Sequence, residues 1–135
     1  MKRLTILLTF LLLTIGVNAQ TVFEFTLKIE CKYNRLTETE YDCKNTLFAK
    51  PVTATISQNH TMIIFTDRDK KNTIYHIVTE DVVNENGEYY VAFRVKDEQG
   101  KYHSIQYDYL KNVLLLFSYN SGDLSDIVNV TKYIY

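Results

Sequence analysis

The chain has 135 residues, of which 46% are hydrophobic, and it contains 11 tyrosines, 7 phenylalanines, 4 glycines and a single proline. This composition excludes a disordered or collagen-like chain and fits one small globular domain. The 15 basic and 16 acidic residues nearly cancel and form no basic run, which excludes nucleic-acid binding through phosphate neutralisation.

The first 19 residues have the pattern of a secretion signal. Two basic residues precede a short apolar core, Ile6 to Ile15, and Val17-Asn18-Ala19 fits the small-residue cleavage pattern. The apolar core is shorter than the roughly 20 residues that a membrane-spanning helix requires. We therefore expect cleavage after Ala19, a single mature domain over residues 20–135, and export to the periplasm or the extracellular space.

Cys31 and Cys43 are the only cysteines in the chain. An oxidising compartment favours a disulfide between them. A reactive thiol would require an environment that lowers the thiol pKa, and a zinc site would require more ligands than two isolated cysteines supply. The sequence therefore predicts a structural disulfide.

The first predicted strand covers residues 21–33, where apolar and polar residues alternate. Its apolar face would carry Phe23, Phe25, Leu27, Ile29, Cys31 and Tyr33. A polar stretch from Asn34 to Asn45 follows, which the disulfide would tether. Further strands are predicted at residues 48–57 and 61–66, and a charged turn comes after them.

Two segments of the same form, Asn84 to Gly87 and Asp97 to Gly100, lie further along the chain. Asn or Asp in the first position and Gly in the fourth predict a three-residue hairpin loop, because Gly adopts the left-handed conformation without steric cost. A third loop, Leu110 to Asn112, can repeat the turn with Asn112 in the left-handed position.

The three loops together fix the pairing of four consecutive strands and place odd-numbered apolar residues on one face. A shift of one residue would reverse every side chain, so the agreement between the loops supports this register. The interior face would carry Val91, Phe93, Val95, Ile105, Leu115 and Phe117. Leu114 and Leu116 would lie on the opposite face, and a closing strand is predicted at residues 127–135.

Eight short strands joined by short hairpins, with no predicted helix, indicate an all-β fold. We predict an antiparallel up-and-down meander that closes into a small barrel, because closure removes exposed strand edges. A two-sheet β-sandwich is the alternative.

The histidines, His60, His76 and His103, do not form a predicted metal site. The predicted register places His76 and His103 on opposite faces of the sheet, whereas metal ligands must converge. The sequence contains no phosphate-binding loop, nucleophile elbow or zinc-binding helix, and serine, histidine and aspartate residues do not form a triad by their presence alone. We therefore predict no metal, cofactor or catalytic residue, and a non-enzymatic protein.

The tyrosines are the remaining unusual feature of the sequence. Tyr89, Tyr107, Tyr109 and Tyr119 share the predicted interior face, and tyrosine combines an apolar ring with a polar hydroxyl. These four residues are the predicted ligand-binding residues, with cross-strand packing of the rings as the alternative. The sequence thus predicts an exported binding module that carries a small amphipathic ligand.

Two other functions fit the same sequence. A secreted protein-interaction or inhibitor module with a packed core would present an outer patch at Leu114 and Leu116. A small outer-membrane β-barrel would use the apolar strand faces and the aromatic chain end, Tyr133-Ile134-Tyr135. The identity of the ligand or protein partner and the oligomeric state do not follow from the sequence.

Overall fold

The computed structural model describes residues 20–118 and 127–135. These residues form eight strands and no helix: β1 (Thr21–Asn34), β2 (Thr39–Ile56), β3 (Met62–Thr66), β4 (Asn72–Glu85), β5 (Glu88–Lys96), β6 (Tyr102–Asp108), β7 (Val113–Ser118) and β8 (Ile127–Ile134). Each strand pairs antiparallel with the next, and β8 pairs with β1, so the sheet closes on itself. The predicted all-β meander with barrel-like closure is confirmed.

The described residues include no helix that is long and apolar enough to cross a membrane. The predicted leader and its cleavage site, at residues 1–19, lie outside the described residues. Tyr119 and the predicted turn at residues 120–123 also lie outside them.

The core lies inside the closed sheet. It consists mainly of aromatic and branched side chains, to which each of the first seven strands contributes. Full burial of one such side chain stabilises the fold by about 1.5–3 kcal/mol. The core residues are Phe25, Ala54, Ile56, Ile63, Phe65, Tyr75, Val91, Phe93, Val95, Ile105, Tyr107, Leu114 and Leu116, with Phe23, Ile77 and Tyr133 packed against them.

Strand β1 changes the face that it presents to the core. Phe25 is buried in the core, and the pairing of β1 with β2 is irregular between Phe25 and Leu27. After this bulge Lys28 lies opposite Tyr133, which in turn lies opposite the core residue Leu114. Because directly paired residues share a face, Lys28 is on the inner side of the sheet. The predicted single apolar face over residues 21–33 is therefore wrong beyond Phe25.

The bulge moves the second half of the predicted apolar face of β1 to the outer side. Cys31 lies opposite Val130 of β8, and Val130 lies opposite Phe117 of β7. Cys31 and Val130 are nevertheless buried, and the rings of Tyr33 and Phe117 are in edge contact at 6.4 Å. The strands β1, β7 and β8 thus carry a second apolar cluster outside the main core.

The polar stretch after β1 is a hairpin rather than an unpatterned loop. The Asn34 side chain accepts hydrogen bonds from the backbone N–H groups of Leu36 and Thr37, and β2 begins at Thr39. The predicted disulfide between Cys31 and Cys43 is present, with the two Cα atoms 4.1 Å apart. It joins the two strands of this hairpin.

The hairpin between β4 and β5 has a shorter loop than the sequence predicts. Glu85 pairs with Glu88, which leaves a two-residue loop, Asn86-Gly87, with φ angles of 53° and 79°. Asn-Gly in two left-handed positions favours this turn because its twist matches that of the strands. The predicted register is therefore wrong by one residue next to the turn. An irregularity between Ile77 and Thr79 restores it, so that Ile77 lies opposite Val95 as predicted.

The hairpin between β5 and β6 has the predicted form. Gly100 has a φ of 82° and donates its N–H to the Asp97 carbonyl at 3.0 Å. Val95 lies opposite His103, and Phe93 lies opposite Ile105. Both predicted pairs are confirmed.

The hairpin between β6 and β7 has a loop of four residues, from Tyr109 to Asn112, because Asp108 pairs with Val113. Asn112 is left-handed as predicted, with a φ of 53°. The extra loop residue shifts the register by one and reverses β7. Leu114 and Leu116 are therefore in the core, whereas Leu115 and Phe117 are on the outer side. The predicted outer patch at Leu114 and Leu116 is wrong.

The turn between β3 and β4 repeats the β5–β6 turn in a different sequence. In both, an aspartate pairs with a lysine four residues later, and the residue before that lysine is left-handed. That residue is Gly100 in one turn and Lys70, with a φ of 59°, in the other. A residue other than glycine in the left-handed conformation is strained by about 1–2 kcal/mol. Glycine avoids this strain but loses more chain entropy on folding, which offsets part of the advantage.

We expect Lys70→Gly to raise the free energy of unfolding by about 0.5–1 kcal/mol, because glycine relieves this strain. Gly100→Lys is the matched reverse change and is expected to lower it by about 1 kcal/mol. A Cβ atom at Gly100 would meet nothing within 4 Å, so only the backbone conformation is tested. Urea unfolding measures both variants, and a shift of both midpoints in the same direction would contradict the prediction.

Candidate functional site

A chain of three polar side chains lies at the end of the sheet formed by the β5–β6 turn. His103, at the start of β6, is directly opposite Ser118, at the end of β7. The His103 Nδ1 atom is 3.1 Å from the Ser118 Oγ atom, and the His103 Nε2 atom is 2.8 Å from an Asp97 Oδ2 atom. His103 is 9% exposed, so the ring nitrogens find their partners within the protein.

The turn chemistry holds Asp97 in place. Its Oδ1 atom accepts hydrogen bonds from the backbone N–H groups of Gln99 and Lys101, both at 2.9 Å. Its Oδ2 atom is left for His103. The hydrogen bond from His103, aided by those two backbone donors, holds the pKa of Asp97 below its usual value.

These contacts determine where the protons lie. The Asp97 carboxylate is ionised at neutral pH and only accepts, so the His103 Nε2 atom carries a hydrogen. In the neutral imidazole the Nδ1 atom is then an acceptor, and the Ser118 hydroxyl donates to it. The arrangement is that of a serine, a base and a carboxylate that orients the base.

Tyr75 of β4 connects this polar chain with the rest of the core. Its ring makes edge contacts with His103, at a centroid distance of 5.3 Å, and with Phe65, at 5.7 Å. Burial and the nearby charge of Asp97 raise the pKa of Tyr75, so its hydroxyl stays protonated.

A cavity of about 240 Å³ opens beside Phe65 at the same end of the sheet. The β3–β4 and β5–β6 turns both follow odd-numbered strands, so an up-and-down meander places them at one end. Apolar side chains, two lysines and one aspartate line the cavity. The lining residues are Lys28, Phe48, Val52, Phe65, Asp67, Lys71, Thr73 and Tyr133.

The two lysines of the cavity differ in their surroundings. Lys28, brought to the inner face by the β1 bulge, pairs with Glu30 at 3.2 Å. Lys71 forms no ion pair with any residue in the described parts of the chain. The Tyr133 ring makes a tilted contact with that of Phe65 at a centroid distance of 5.1 Å, and burial strongly raises the pKa of its hydroxyl, which therefore remains a neutral donor.

Three of the four tyrosines that were predicted to bind a ligand, Tyr89, Tyr107 and Tyr109, lie at the opposite end of the sheet. Tyr107 contacts the ring of Tyr109 at 4.6 Å, and Tyr109 contacts that of Tyr89 at 5.6 Å. Tyr107 is buried and donates its hydroxyl to the Asn112 side chain, whereas Tyr89 and Tyr109 are 39% and 46% exposed. These three tyrosines form one cluster but do not line the cavity described above. Their role in ligand binding stays a prediction.

The histidines are separated as the sequence predicts. His76 is exposed, whereas His103 is buried inside the sheet, and His60 pairs with Glu80 at 2.9 Å on the surface. The described residues that come closest to a metal-binding set are Cys31, Glu40 and Cys43. Both cysteine sulfur atoms are consumed by the disulfide, so neither is available as a thiolate ligand.

The polar chain was missed because of the register of one hairpin. A three-residue loop between β6 and β7 would place His103 opposite Tyr119, whereas the four-residue loop places it opposite Ser118. The six-residue spacing of Asp97 and His103 across a confirmed turn was the available signal.

Comparison with known proteins identifies no relative: the chain matches no protein-family model, no curated protein and no solved structure.

Proposed function

We propose that this protein is a binding module for a small amphipathic anion, which occupies the cavity beside the β3–β4 turn. One observation carries the proposal: three apolar side chains and two lysines, against one aspartate, line the same cavity. Ligand sites typically combine mainly apolar walls with a few polar groups that fix the orientation.

Each part of the cavity has a counterpart in such a ligand. Phe48, Val52 and Phe65 would cover a hydrocarbon or aromatic portion. Lys71, which lacks an acidic partner among the described residues, would pair with a carboxylate at the mouth. The Tyr133 hydroxyl is a further neutral donor. An alkyl or aryl carboxylate fits this set better than a cation or a fully polar solute.

The volume limits the size of the ligand. The cavity has a volume of about 240 Å³. This is below the usual range for drug-sized ligands, roughly 300–1,000 Å³. The proposed ligand is therefore a short-chain or single-ring carboxylate rather than a long-chain lipid.

Export of the mature domain belongs to the same proposal. The leader-like residues 1–19 and the Cys31–Cys43 disulfide both fit an oxidising compartment. A carrier or sensor of small carboxylates in the periplasm or outside the cell would be consistent with both features.

Hexanoate and 1-hexanol form a matched pair of probes, because they differ mainly in the charged group. We expect hexanoate to bind the mature domain several-fold more tightly than 1-hexanol. Lys71→Gln should weaken hexanoate binding about fivefold, the equivalent of about 1 kcal/mol for one solvent-exposed ion pair, and leave 1-hexanol binding unchanged. Titration followed by NMR chemical shifts measures the affinities and reports which residues respond.

Lys70→Gln is the control variant, since Lys70 is the neighbouring lysine of the same turn and does not line the cavity. It removes the same charge and should leave the affinity for hexanoate unchanged. Equal affinities for the two probes, or equal losses in the two lysine variants, would contradict the proposed anion site.

A further inference from the structure

We propose that Ser118 is an activated nucleophile that reacts with small carboxylic esters, with His103 as its base and Asp97 as the residue that positions the base. This inference is independent of ligand binding in the cavity. It rests on the two hydrogen bonds that join the three side chains, at 3.1 Å and 2.8 Å. Nucleophile-to-base and base-to-carboxylate contacts within hydrogen-bond reach are the geometric requirement for such a serine.

The sheet holds the three groups rigidly. His103 and Ser118 are direct partners across the β6–β7 pairing, so the backbone fixes their separation. Asp97 is held by two backbone N–H groups of its own turn, and its second oxygen faces His103. The T-shaped contact with the Tyr75 ring limits rotation of the imidazole. Groups that are placed in advance on strands lose little freedom when they react.

The exposure of the groups is consistent with a reaction at the serine. His103 is nearly buried, which protects its hydrogen bonds from competition with water, whereas Ser118 is only half-buried. Ser104, the serine next to His103 in the chain, lies opposite Phe117 on the outer side of the sheet and cannot share this base.

The proposed reaction consumes only the ester and water. The Ser118 Oγ atom bonds to the carbonyl carbon of the ester while its proton passes to the His103 Nδ1 atom. The bond between that carbon and the alcohol oxygen then breaks, and the alcohol leaves with the proton from His103. Water then bonds through its oxygen to the acyl carbon and gives a proton to the His103 Nδ1 atom. The bond between that carbon and the Ser118 Oγ atom breaks, and His103 returns the proton to Oγ, which releases the acid and restores the serine hydroxyl. Asp97 stays ionised throughout.

The same hydrogen bonds would also satisfy a buried histidine with no chemical role. The two roles differ in the reactivity of Ser118, because an unassisted serine hydroxyl is a weak nucleophile. A small organophosphorus fluoride, diisopropyl fluorophosphate, is a suitable probe, since it forms a stable bond with activated serines. Intact-mass and peptide mass spectrometry of the mature domain then report the number and position of the adducts.

We expect one adduct per chain at Ser118 in the native protein and none there in Ser118→Ala. Ser104→Ala is the matched control and should be labelled at the native rate. Asp97→Asn retains the Oδ1 acceptor for the turn but replaces the acceptor for His103 by a donor. It should slow labelling about a hundredfold or more, as expected for loss of general-base assistance, while circular dichroism shows retained structure.

A comparison within the wild-type protein needs no variant. Labelling at Ser118 should be lost when the chain is unfolded in guanidinium chloride, because the base is then no longer in contact. Labelling of native Ser118 no faster than in the unfolded chain, or adducts spread over other serines, would overturn the proposal.

Discussion

Replacement of Leu114 by alanine is expected to lower the free energy of unfolding by about 3–5 kcal/mol, the range for leucines in a tightly packed core. Leu114 is 2% exposed and lies between Tyr107 of β6 and Tyr133 of β8. Its removal leaves a void that two tyrosine rings cannot fill without losing their own contacts. A small domain has about 5–15 kcal/mol of stability in total, so the variant should lose a large part of it.

Leu115→Ala is the matched control, because it deletes the same atoms from the next residue. Leu115 is half-buried and lies between Gln106 and Lys132 on the outer side of the sheet. We expect it to cost about 1 kcal/mol, in line with the smaller apolar area that it buries. Urea unfolding followed by circular dichroism ranks the two variants. The three-residue loop anticipated from the sequence requires the opposite ranking, so a larger loss in Leu115→Ala would refute the observed register.

Loss of the Cys31–Cys43 disulfide is the second change for which we expect a large effect. The bond closes a short loop at the tip of the β1–β2 hairpin, where the two cysteines are 12 positions apart. Loop-closure entropy alone assigns about 3 kcal/mol to a bond of this span. The variant in which both cysteines are replaced by alanine should therefore unfold at a markedly lower urea concentration.

A reducing agent separates the covalent bond from the packing of the side chains. Reduction should lower the urea midpoint of the wild-type protein nearly to that of the double-alanine variant. It should leave the urea midpoint of the variant unchanged. A residual gap between the two would measure the packing of Cys31, which is 5% exposed. Equal midpoints for oxidised wild type and variant would exclude a stabilising role for the disulfide.

The parts of the fold that follow from local chemistry could be predicted from the sequence. The Asp97–Gly100 turn specifies its own loop length, because an aspartate side chain caps the turn and glycine adopts a left-handed conformation. The segment Asn84–Gly87 is compatible with a three-residue loop and with a two-residue loop. The structure has the two-residue loop, formed by its Asn-Gly pair. At the β6–β7 loop no glycine fixes the length, so the register had to come from packing across the sheet.

The candidate site was less accessible to sequence reasoning than the strands. The bulge after Phe25 falls opposite residues 48–51 of β2, and Pro51 among them is its one local signal in the sequence, because proline cannot donate to a strand pairing. Without this bulge Lys28 would be assigned to solvent rather than to the cavity. Ser118 was likewise separated from His103 by one residue of loop length. Each error was a single residue, but one residue exchanges the two faces of a strand.

The pairing of β1 with β8 has a consequence for the order in which the chain folds. Among the described strands, seven pairings join neighbours in sequence, and only this one connects the two ends of the domain, as in Leu27 opposite Ile134. Contacts of such wide sequence separation form slowly, because the chain entropy must be lost before the contact is gained. Closure should therefore be the late step of folding. Until β8 arrives, β1 and β7 remain open edges to which other chains can add.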